Sequence, residues 1–263
     1  MGPVNGARPI HPPRRELMLL EARALFELAA LLPASPFLRR APTGDGHPVL
    51  VLPPFLGSDL ATRALRWFVR DRGYAVSGWE LGRNLGPTPE VVQGLARRLA
   101  EIRARHGRTV SLVGWSLGGV YARELARHFP SDVRLVITLA SPFRDVDAVN
   151  VPRFMRVFGN RRPHERQEMI RQQMHAPPPV PTTAIYSRSD GIVAWRSCAE
   201  DPGPQTENVE VESSHLGIGH HPVALLTVAD RLAQPEGAWT RFQPPRGLPW
   251  PLGPRLPAEA SDA

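Results

Sequence analysis

The sequence predicts an α/β fold, in which a doubly wound and mostly parallel sheet of about six strands carries helices on both faces. Two patterns predict this fold. Short apolar runs, typical of strands buried on both faces, alternate along the chain with longer segments of helical spacing. Hydrophobic residues also make up 42% of the 263 residues, which is enough for one sizeable core and excludes a wholly disordered chain.

Each predicted strand is a run of apolar residues, and each predicted helix has apolar side chains three or four positions apart. The predicted strands are 49–52, 75–79, 110–113, 133–139, 182–186 and 208–211. The helices predicted between and after them are 58–72, 89–106, 117–128 and 223–232. Strand and helix thus follow one another in turn, as in a parallel sheet that is covered on both faces.

Three further regions flank or interrupt this core. Residues 1–42 are predicted to form an N-terminal arm and an amphipathic helix, and the α/β domain spans 43–235. The Pro-rich residues 236–263 are expected to be an extended or disordered tail. Residues 145–181 are too long for a plain crossover. They form either a small lid insertion at the carboxyl edge of the sheet or one crossover helix with long flanking loops.

The N-terminal helix, expected over 16–32 and ended by Pro33 and Pro36, has two interpretations. It either packs on the domain or lies on a membrane surface as a peripheral contact. The basic residues that would touch anionic headgroups in the second case are Arg8, Arg14 and Arg15. Acidic residues interrupt the apolar stretch, so the sequence predicts neither a signal peptide nor a spanning helix here.

Charge and cysteine content exclude several classes of function. All 32 basic residues are arginines, and against 25 acidic residues they leave a formal net charge of +7. Because these arginines are spread along the chain and no nucleic-acid motif appears, nucleic-acid binding is not expected. The single cysteine, Cys198, excludes an internal disulfide framework and a multi-cysteine metal site. We interpret it as a packing residue, and its solitary occurrence favours a reducing, cytoplasmic compartment.

The strongest local signal for chemistry is Gly114-Trp115-Ser116-Leu117-Gly118. It follows a predicted strand and opens a predicted helix, which is the setting in which this pattern presents a nucleophile. The sharp reversal forces Ser116 into a strained backbone geometry, and Gly114 and Gly118 leave room for neighbouring backbone. We therefore expect Ser116 at a helix N-terminus above the sheet edge, in a nucleophile elbow. The alternative is a glycine-rich turn with an idle serine.

A serine hydroxyl needs a base to take its proton, and the base needs an acid to fix its tautomer. In a doubly wound sheet these partners are expected after later strands, in the order Ser, acid, His. Asp190 follows strand 182–186 and His215 follows strand 208–211, so the predicted catalytic triad is Ser116, Asp190 and His215. Other candidates near these strand ends are Asp145 and Asp147 for the acid and His220 and His221 for the base.

The tetrahedral intermediate of acyl transfer also needs backbone N–H donors, which form an oxyanion hole. One is the amide of Leu117, directly after the candidate nucleophile. The second is expected in the loop after the first core strand, where Pro53 and Pro54 have no N–H and Phe55 is the first available donor. That loop could instead be only a rigid connection between strand and helix.

These residues resemble the α/β-hydrolase fold family, in its lipase and esterase branch. The similarity covers about residues 47–234 of the chain. The segments that carry it are 114–118, 189–193 and 214–217, with 49–55 and 139–143 as further landmarks. Pro53-Pro54 stands where the family usually has a His-Gly or Pro-Gly pair. The resemblance implies the minimal, lipase-type version of the fold, since the N-terminal segment is helical.

The resemblance implies ester hydrolysis through an acyl-serine intermediate, with no metal and no organic cofactor. Ser116 would attack the carbonyl carbon, His215 would move the proton and Asp190 would hold the imidazolium. The substrate would be a small-molecule or lipid-like ester. Side chains that suggest an apolar acyl site, or simply core, are Phe55, Leu56, Trp115, Phe154, Met155 and Phe158.

Two other functions are compatible with the same residues. An acyltransferase would use the same triad with an alcohol in place of water. A non-catalytic binding protein would keep only the fold, and the complete set of Ser116, Asp190 and His215 argues against it.

Overall fold

A computed structural model of the protein describes residues 10–150 and 175–244. Within them, six strands form one parallel sheet in the order β2-β1-β3-β4-β5-β6. The strands are β1 (Pro48–Leu52), β2 (Ala75–Gly78), β3 (Val110–Trp115), β4 (Val133–Leu139), β5 (Thr182–Tyr186) and β6 (Thr206–Glu210). The chain changes its direction across the sheet between β1 and β3, so a crevice opens there at the carboxyl ends of the strands.

Helices cover both faces of this sheet. The α-helices of the described residues are α1 (Glu16–Leu19), α2 (Ala24–Ala29), α3 (Leu31–Leu38), α4 (Arg63–Asp71), α5 (Pro89–His106), α6 (Leu117–His128) and α7 (Pro222–Leu232). Short 3-10 helices occupy Leu20–Arg23, Trp195–Ser197 and Ile218–His220. Residues of α3, α4 and α7 pack against one face of the sheet, and residues of α5 and α6 pack against the other. The predicted α/β fold class is confirmed.

The apolar runs that predict the strands are buried on both sides. Every residue of β1, β3, β4 and β5 is buried, whereas the edge strand β2 is mostly half-buried. Burying one aliphatic side chain contributes about 1.5–3 kcal/mol, so each run favours the centre of the sheet. All six strands lie within two residues of their predicted bounds at each end.

The longest helix shows why its bounds are readable from sequence. The Thr88 hydroxyl caps α5 by accepting a hydrogen bond from the Val91 amide at 3.3 Å, and Pro89 occupies its first position. Gly107 ends the helix in the left-handed conformation, with φ 63°. The predicted helix over 89–106 is therefore confirmed.

The N-terminal segment differs from its prediction. Instead of one helix ending before Pro33, residues 16–38 run through α1, a 3-10 turn, α2 and α3. A new helix begins at Leu31, so Pro33 falls in a first turn, where a missing N–H leaves no intrahelical bond unmade. Pro36 lies inside α3, and burial of Ala34 and Leu38 against the sheet offsets its cost.

Several predicted regions fall partly outside the described residues. These are the arm before residue 10, the part of the 145–181 insertion that spans 151–174, and the tail after 244. The described part of the tail, 236–244, contains neither helix nor strand, but Phe242 is buried and its amide donates to Glu207 at 2.7 Å. In the described ranges, no helix combines the length and the apolar character that crossing a bilayer requires.

Candidate active site

Ser116 lies at the junction between β3 and α6, at the carboxyl edge of the sheet. Its backbone has φ 53° and ψ −120°, a combination that an L-residue adopts only under strain. The Ser116 amide donates to the Leu139 carbonyl at 2.8 Å, and the Ser116 carbonyl accepts from the Gly119 amide at 3.0 Å. The strained geometry expected at this serine is thus confirmed, and neighbouring backbone holds it.

The glycines on either side are required by close packing of backbone. A Cβ atom on Gly114 would lie 2.4 Å from the carbonyl of Gly118, and one on Gly118 would lie 2.3 Å from the carbonyl oxygen of Leu52. Neither contact involves a side chain that could turn away. The start of α6 can therefore approach β1 and β3 only with glycine at both positions.

The structure brings Ser116, His215 and Asp190 together in one hydrogen-bonded chain. His215 Nε2 lies 3.0 Å from Ser116 Oγ, and His215 Nδ1 lies 2.7 Å from Asp190 Oδ2. The three residues are 8%, 5% and 3% exposed, respectively. All three residues are thus buried, and Ser116 is the most exposed of them.

The Asp190 carboxylate is fixed by its own turn after β5. Asp190 Oδ1 accepts hydrogen bonds from the Ile192 amide at 2.8 Å and the Val193 amide at 2.7 Å. Oδ2 is left for the imidazole. The alternative acids do not take this place, since Asp145 Oδ1 accepts from the Asp147 amide instead.

The two other candidate histidines also lie elsewhere. His220 Nε2 lies 3.0 Å from the Ala24 carbonyl oxygen. His221 is buried at the start of α7, and burial lowers its pKa to about 4. Of the three histidines in this loop, it is therefore His215 that lies next to Ser116.

The electrostatics of the site favour an imidazolium at His215. Burial alone would lower the pKa of His215, but the negative charge of Asp190 and the hydrogen bond to it act in the opposite direction, with a further contribution from the Glu21 charge. Together these interactions raise the pKa of His215 above its ordinary value. The ring is therefore a stronger base than a free histidine.

The predicted oxyanion donors lie in two well-held segments. Within the described ranges, neither the Phe55 amide nor the Leu117 amide donates a hydrogen bond to another group. The loop that carries Phe55 is held by Asn84, whose Nδ2 donates to the Pro53 carbonyl at 2.9 Å and whose own carbonyl accepts from the Leu56 amide at 2.7 Å. Sequence reasoning missed Asn84, which is fully buried and lies 31 residues from Pro53.

The apolar residues suggested for an acyl site lie in different surroundings. Phe55 is half-buried and Leu56 is exposed, so both lie near the surface in the loop after β1. Trp115 is buried, and its Nε1 donates to the His215 carbonyl at 3.1 Å, so it supports the loop of the histidine. Phe154, Met155 and Phe158 lie outside the described residues.

Sequence reasoning missed three charged residues of the N-terminal segment that contact the site. The Glu21 carboxylate accepts hydrogen bonds from the amides of Gly191, His215 and Leu216 at 2.8, 3.0 and 3.0 Å. Glu27 accepts from the Ser214 amide at 2.8 Å, and Arg23 donates to the Ser189 hydroxyl at 2.7 Å. The sequence shows that these charged residues interrupt an apolar stretch, but it does not show their partners, which lie more than 160 positions away.

A second Asp-His-Ser chain lies at the amino ends of the strands, at the opposite end of the sheet from Ser116. His47 Nδ1 lies 2.6 Å from Asp45 Oδ1, and His47 Nε2 lies 2.8 Å from Ser111 Oγ. Both His47 and Ser111 have no exposed surface, and Ser111 lies within β3. Burial, the largest effect, lowers the pKa of His47. The two chains therefore have the same order of hydrogen bonds. They differ in the backbone conformation of the serine, in its exposure and in whether the histidine pKa is raised or lowered.

The described residues contain no cluster of three or more His, Cys, Asp or Glu side chains suited to a metal ion. Cys198 is buried, and burial raises the pKa of its thiol well above the ordinary value. It is thus disfavoured as a thiolate nucleophile.

No protein-family model and no curated protein matches the sequence. Solved structures do match. Lipase B of Aspergillus fumigatus is similar with a TM-score of 0.56 and 19% identity, over 73% of this chain and 53% of that chain. A lipase of Bacillus licheniformis is similar with a TM-score of 0.55 and 16% identity, over 74% of this chain and 95% of that one.

A monoacylglycerol lipase of Paleococcus ferrophilus is also similar, with a TM-score of 0.52 and 14% identity over 72% of this chain and 96% of that chain. The matched part of this chain spans about half the length of the fungal lipase, 53%, and nearly all of the other two. At these identities the likenesses concern the fold. Together with the sheet order and the elbow after β3, they show that the chain has the α/β-hydrolase fold.

Proposed function

We propose that the protein is a serine hydrolase that cleaves carboxylic esters through an acyl-serine intermediate. The observation that carries this proposal is the continuous hydrogen-bonded chain from Ser116 through His215 to Asp190, which begins at a strained turn between strand and helix. The named lipases among the structures of similar fold support an ester as the substrate.

Acylation begins with attack of Ser116 Oγ on the ester carbonyl carbon. As the new C–O bond forms, His215 Nε2 takes the hydroxyl proton, and the carbonyl π electrons move to the oxygen. Collapse of the tetrahedral intermediate breaks the bond to the leaving alkoxide, which receives the proton from His215. Asp190 stabilises the imidazolium that exists between these two transfers.

The negative oxygen of the intermediate needs donors that are already in place. The amides of Leu117 and Phe55 are the proposed oxyanion hole, and their lack of another acceptor among the described residues supports this role. The α6 N-terminus adds a favourable dipole at the same point.

Deacylation repeats the sequence with water as the nucleophile. His215 Nε2 takes a proton from water, and the resulting hydroxide equivalent attacks the acyl carbon. The bond to Ser116 Oγ then breaks, and the proton returns to that oxygen. The products are a carboxylic acid and the regenerated serine, so no redox cofactor takes part.

A fluorophosphonate probe tests this assignment, because it phosphonylates only an activated serine. We expect rapid labelling of the wild type and none of Ser116→Ala. The matched control is Ser111→Ala, which removes the hydroxyl of the other Asp-His-Ser chain and should label like the wild type. An unlabelled wild type would contradict the proposal, and so would labelling that survives in Ser116→Ala.

The product formed in the presence of an added alcohol separates hydrolysis from acyl transfer. The wild type should release acid from p-nitrophenyl esters at a rate that added alcohol changes little. A product that shifts almost wholly to the new ester when alcohol is added would instead assign an acyltransferase with the same triad.

We further propose that the N-terminal segment binds an anionic phospholipid surface on the cytoplasmic side of a membrane. Its charged residues Glu21, Arg23 and Glu27 point towards the candidate active site, and many of its large apolar residues are exposed. Four of the latter are 75–80% exposed, namely Leu19, Leu25, Phe26 and Leu32. Burying polar groups and exposing apolar ones is the reverse of an ordinary surface helix.

The distribution of charge supports an anionic membrane as the partner of this apolar surface. The exposed arginines at the two ends of the segment are Arg14, Arg15, Arg39 and Arg40, and Glu16 is the exposed acid among them. With a net charge of +7 on the chain, this pattern complements anionic headgroups rather than a neutral surface. Arg8, the third basic residue expected to contribute, lies outside the described residues.

Co-sedimentation with phosphatidylglycerol-containing vesicles tests this contact. We expect binding that falls at least about tenfold in Leu25→Glu, because an acid would enter the apolar contact. Val92→Glu is the control, since Val92 is 57% exposed on α5, on the other face of the sheet. Absence of wild-type binding would contradict the proposal, as would a wild-type dimer that Leu25→Glu dissociates, since a second copy would then cover the surface.

A further inference from the structure

The loop that carries His215 depends on the N-terminal segment for its hydrogen bonds. Three consecutive amides of this loop, those of Ser214, His215 and Leu216, donate to carboxylates of Glu27 and Glu21. On the acceptor side, the His215 carbonyl is held by Trp115 Nε1. No strand or helix contains these three residues, so the carboxylates replace the regular backbone partners that the loop lacks.

Glu21 joins the loop of the acid to the loop of the base. Its Oε1 accepts from the Gly191 amide at 2.8 Å and from the His215 amide at 3.0 Å, and its Oε2 accepts from the Leu216 amide at 3.0 Å. Gly191 directly follows Asp190 in the sequence. One buried side chain, 6% exposed, therefore fixes the backbone beside both partners of Ser116.

Two neighbours extend this contact. The Glu27 carboxylate accepts from the Ser214 hydroxyl at 2.6 Å and is paired with Arg23 at 3.3 Å. Arg23 in turn donates to the carbonyl and the hydroxyl of Ser189, at 3.1 and 2.7 Å. The residue before Asp190 is thus held from the same segment as the residue after it.

Glycines in both loops allow the segment to come this close. A Cβ atom on Gly191 would lie 2.4 Å from the Leu17 carbonyl oxygen, and one on Gly217 would lie 1.4 Å from a carboxylate oxygen of Glu27. Both glycines have ordinary negative φ values, so backbone conformation does not require them. The close approach of the Leu17 backbone requires glycine at position 191, whereas at position 217 the neighbour is the end of the flexible Glu27 side chain.

We propose that Glu21 is a positioning residue for His215 and Asp190, and that the N-terminal segment is thereby an integral part of the active site. This proposal deepens the proposed function and rests on it. Glu21 does not touch the reacting atoms. It acts by holding the imidazole and the carboxylate at the separations that proton transfer needs, where a displacement of about 1 Å can cost about 100-fold in rate.

The charge of Glu21 supplies a readout that a purely structural residue would not move. The groups that face His215 are Asp190 from the loop after β5, Glu21 from the N-terminal segment and Ser116 from the elbow. Asp190 and Glu21 both raise the pKa of the imidazole, and burial opposes them. Removing the Glu21 charge should therefore lower the pKa of His215.

Two variants of Glu21 separate geometry from charge. Glu21→Gln keeps the shape but replaces one acceptor oxygen by a donor, so we expect kcat to fall about 10- to 100-fold with little change in KM. The acid limb of the kcat/KM profile should move to lower pH. Glu21→Asp keeps the charge on a shorter side chain, so kcat should fall while the acid limb stays near its wild-type position.

Glu16→Gln is the matched control, because it removes the same charge from an exposed position of the same segment. It should leave kcat and the pH profile unchanged. A Glu21→Gln enzyme with wild-type kcat and an unmoved acid limb would overturn the proposal, even if its thermal stability were lower.

Titration of the His215 ring by nuclear magnetic resonance keeps the test independent of ester hydrolysis. Glu21→Gln should lower the pKa of the ring even if the wild type proves inactive on esters. A lowered pKa in an unlabelled, inactive protein would overturn the proposed function, while it would still show that the Glu21 charge acts on His215. An unchanged pKa together with fluorophosphonate labelling at the wild-type rate would overturn the role of Glu21 alone.

Discussion

At the scale of single residues, Asp190 divides its two carboxylate oxygens between structure and chemistry. Oδ1 accepts from the amides of Ile192 and Val193, and Oδ2 faces the Nδ1 of His215. Because a carboxylate can only accept, Nδ1 must carry a hydrogen. Nε2 is then free to accept the hydrogen of Ser116.

Asp190→Asn should therefore invert the tautomer of His215. The two backbone amides keep the asparagine oxygen at the Oδ1 position, so its NH2 group faces Nδ1. A donor at that place forces Nδ1 to accept and leaves the hydrogen on Nε2, which cannot take a proton from Ser116. We expect kcat to fall about 1,000-fold or more with the fold intact, measured by ester hydrolysis and circular dichroism.

Asp145→Asn provides the comparison for this substitution. Asp145 also follows a strand of the sheet, and its Oδ1 accepts from the Asp147 amide rather than facing a histidine. The activity of the Asp145→Asn variant should stay within about twofold of the wild type, since substitutions away from the reacting groups usually have small effects. A larger loss of activity in Asp145→Asn than in Asp190→Asn would show that Asp190 is not the catalytic acid.

At the scale of elements, the loop of the proposed oxyanion donor Phe55 depends on one residue from a distant part of the chain. Asn84 holds the loop through its own backbone, which pairs with Leu56 and Gly57 at 2.7 and 2.8 Å, and through Nδ2, which donates to Pro53. Leu56 has φ 60°, a left-handed conformation that this pairing stabilises. The direction of the Phe55 amide thus depends on Asn84.

Asn84→Ala should loosen this loop and lower kcat about 10- to 100-fold, because the proposed oxyanion donor Phe55 would be held less firmly without the bond from Nδ2 to Pro53. Asn208→Ala is the control, since Asn208 holds a loop in the same way, exchanging two hydrogen bonds with the backbone of Glu200 at 2.8 and 2.9 Å. Both variants should unfold at lower urea concentration, but only Asn84→Ala should lose activity. Equal kcat values for Asn84→Ala and Asn208→Ala would contradict the proposal that the Phe55 amide is an oxyanion donor.

At the scale of the whole molecule, buried histidines make stability depend on pH. His221 is 6% exposed, and burial lowers its pKa to about 4, while burial also lowers the pKa of His47. Between about pH 6.5 and pH 4 the unfolded chain therefore binds more protons than the folded one. The free energy of unfolding should fall as the pH is lowered through this window.

His215 acts in the opposite direction. Its pKa is raised in the folded state, so it contributes stability below the unfolded value that is lost as the pH rises through the folded value. In the acidic window it is protonated in both states and contributes little to the slope. The acid sensitivity is thus expected from His221 and His47, and from His175, whose pKa burial also lowers.

His221→Gln should remove about 3 kcal/mol of the change in unfolding free energy between pH 7 and pH 4, since a shift of one pKa unit corresponds to about 1.4 kcal/mol. Urea denaturation at several pH values measures the free energy of unfolding of the variant and of the wild type. His11→Gln is the control, because His11 is exposed. A pH slope in His221→Gln that equals that of the wild type would contradict this explanation.

The elements of the sheet could be predicted because their signals are local. The bounds of α5 follow from Thr88, Pro89 and Gly107, and the burial of the strands follows from short apolar runs. The elbow was readable for the same reason, since Gly114 and Gly118 flank the serine at a junction of strand and helix. The meeting of Ser116, Asp190 and His215 follows from parallel topology, which puts the ends of successive strands at one edge.

The N-terminal segment could not be predicted from local pattern, because its polar residues face inward. Amphipathic spacing assumes that apolar side chains seek the core, but Glu21 and Glu27 accept hydrogen bonds from amides that are 170, 187, 194 and 195 positions away. Contacts of that range leave no periodic signal. Asn84 escaped prediction for the same reason, since a single asparagine in a loop does not reveal which carbonyl it bonds.

The most direct test of the central claim is the identity of the acylated residue. The wild type is mixed with a p-nitrophenyl ester, quenched in acid within the first turnover and digested for peptide mass spectrometry. We predict an acyl adduct on Ser116, together with a burst of p-nitrophenol, and neither in Ser116→Ala. Turnover of the ester without any adduct on Ser116, or an adduct on another residue, would contradict the account.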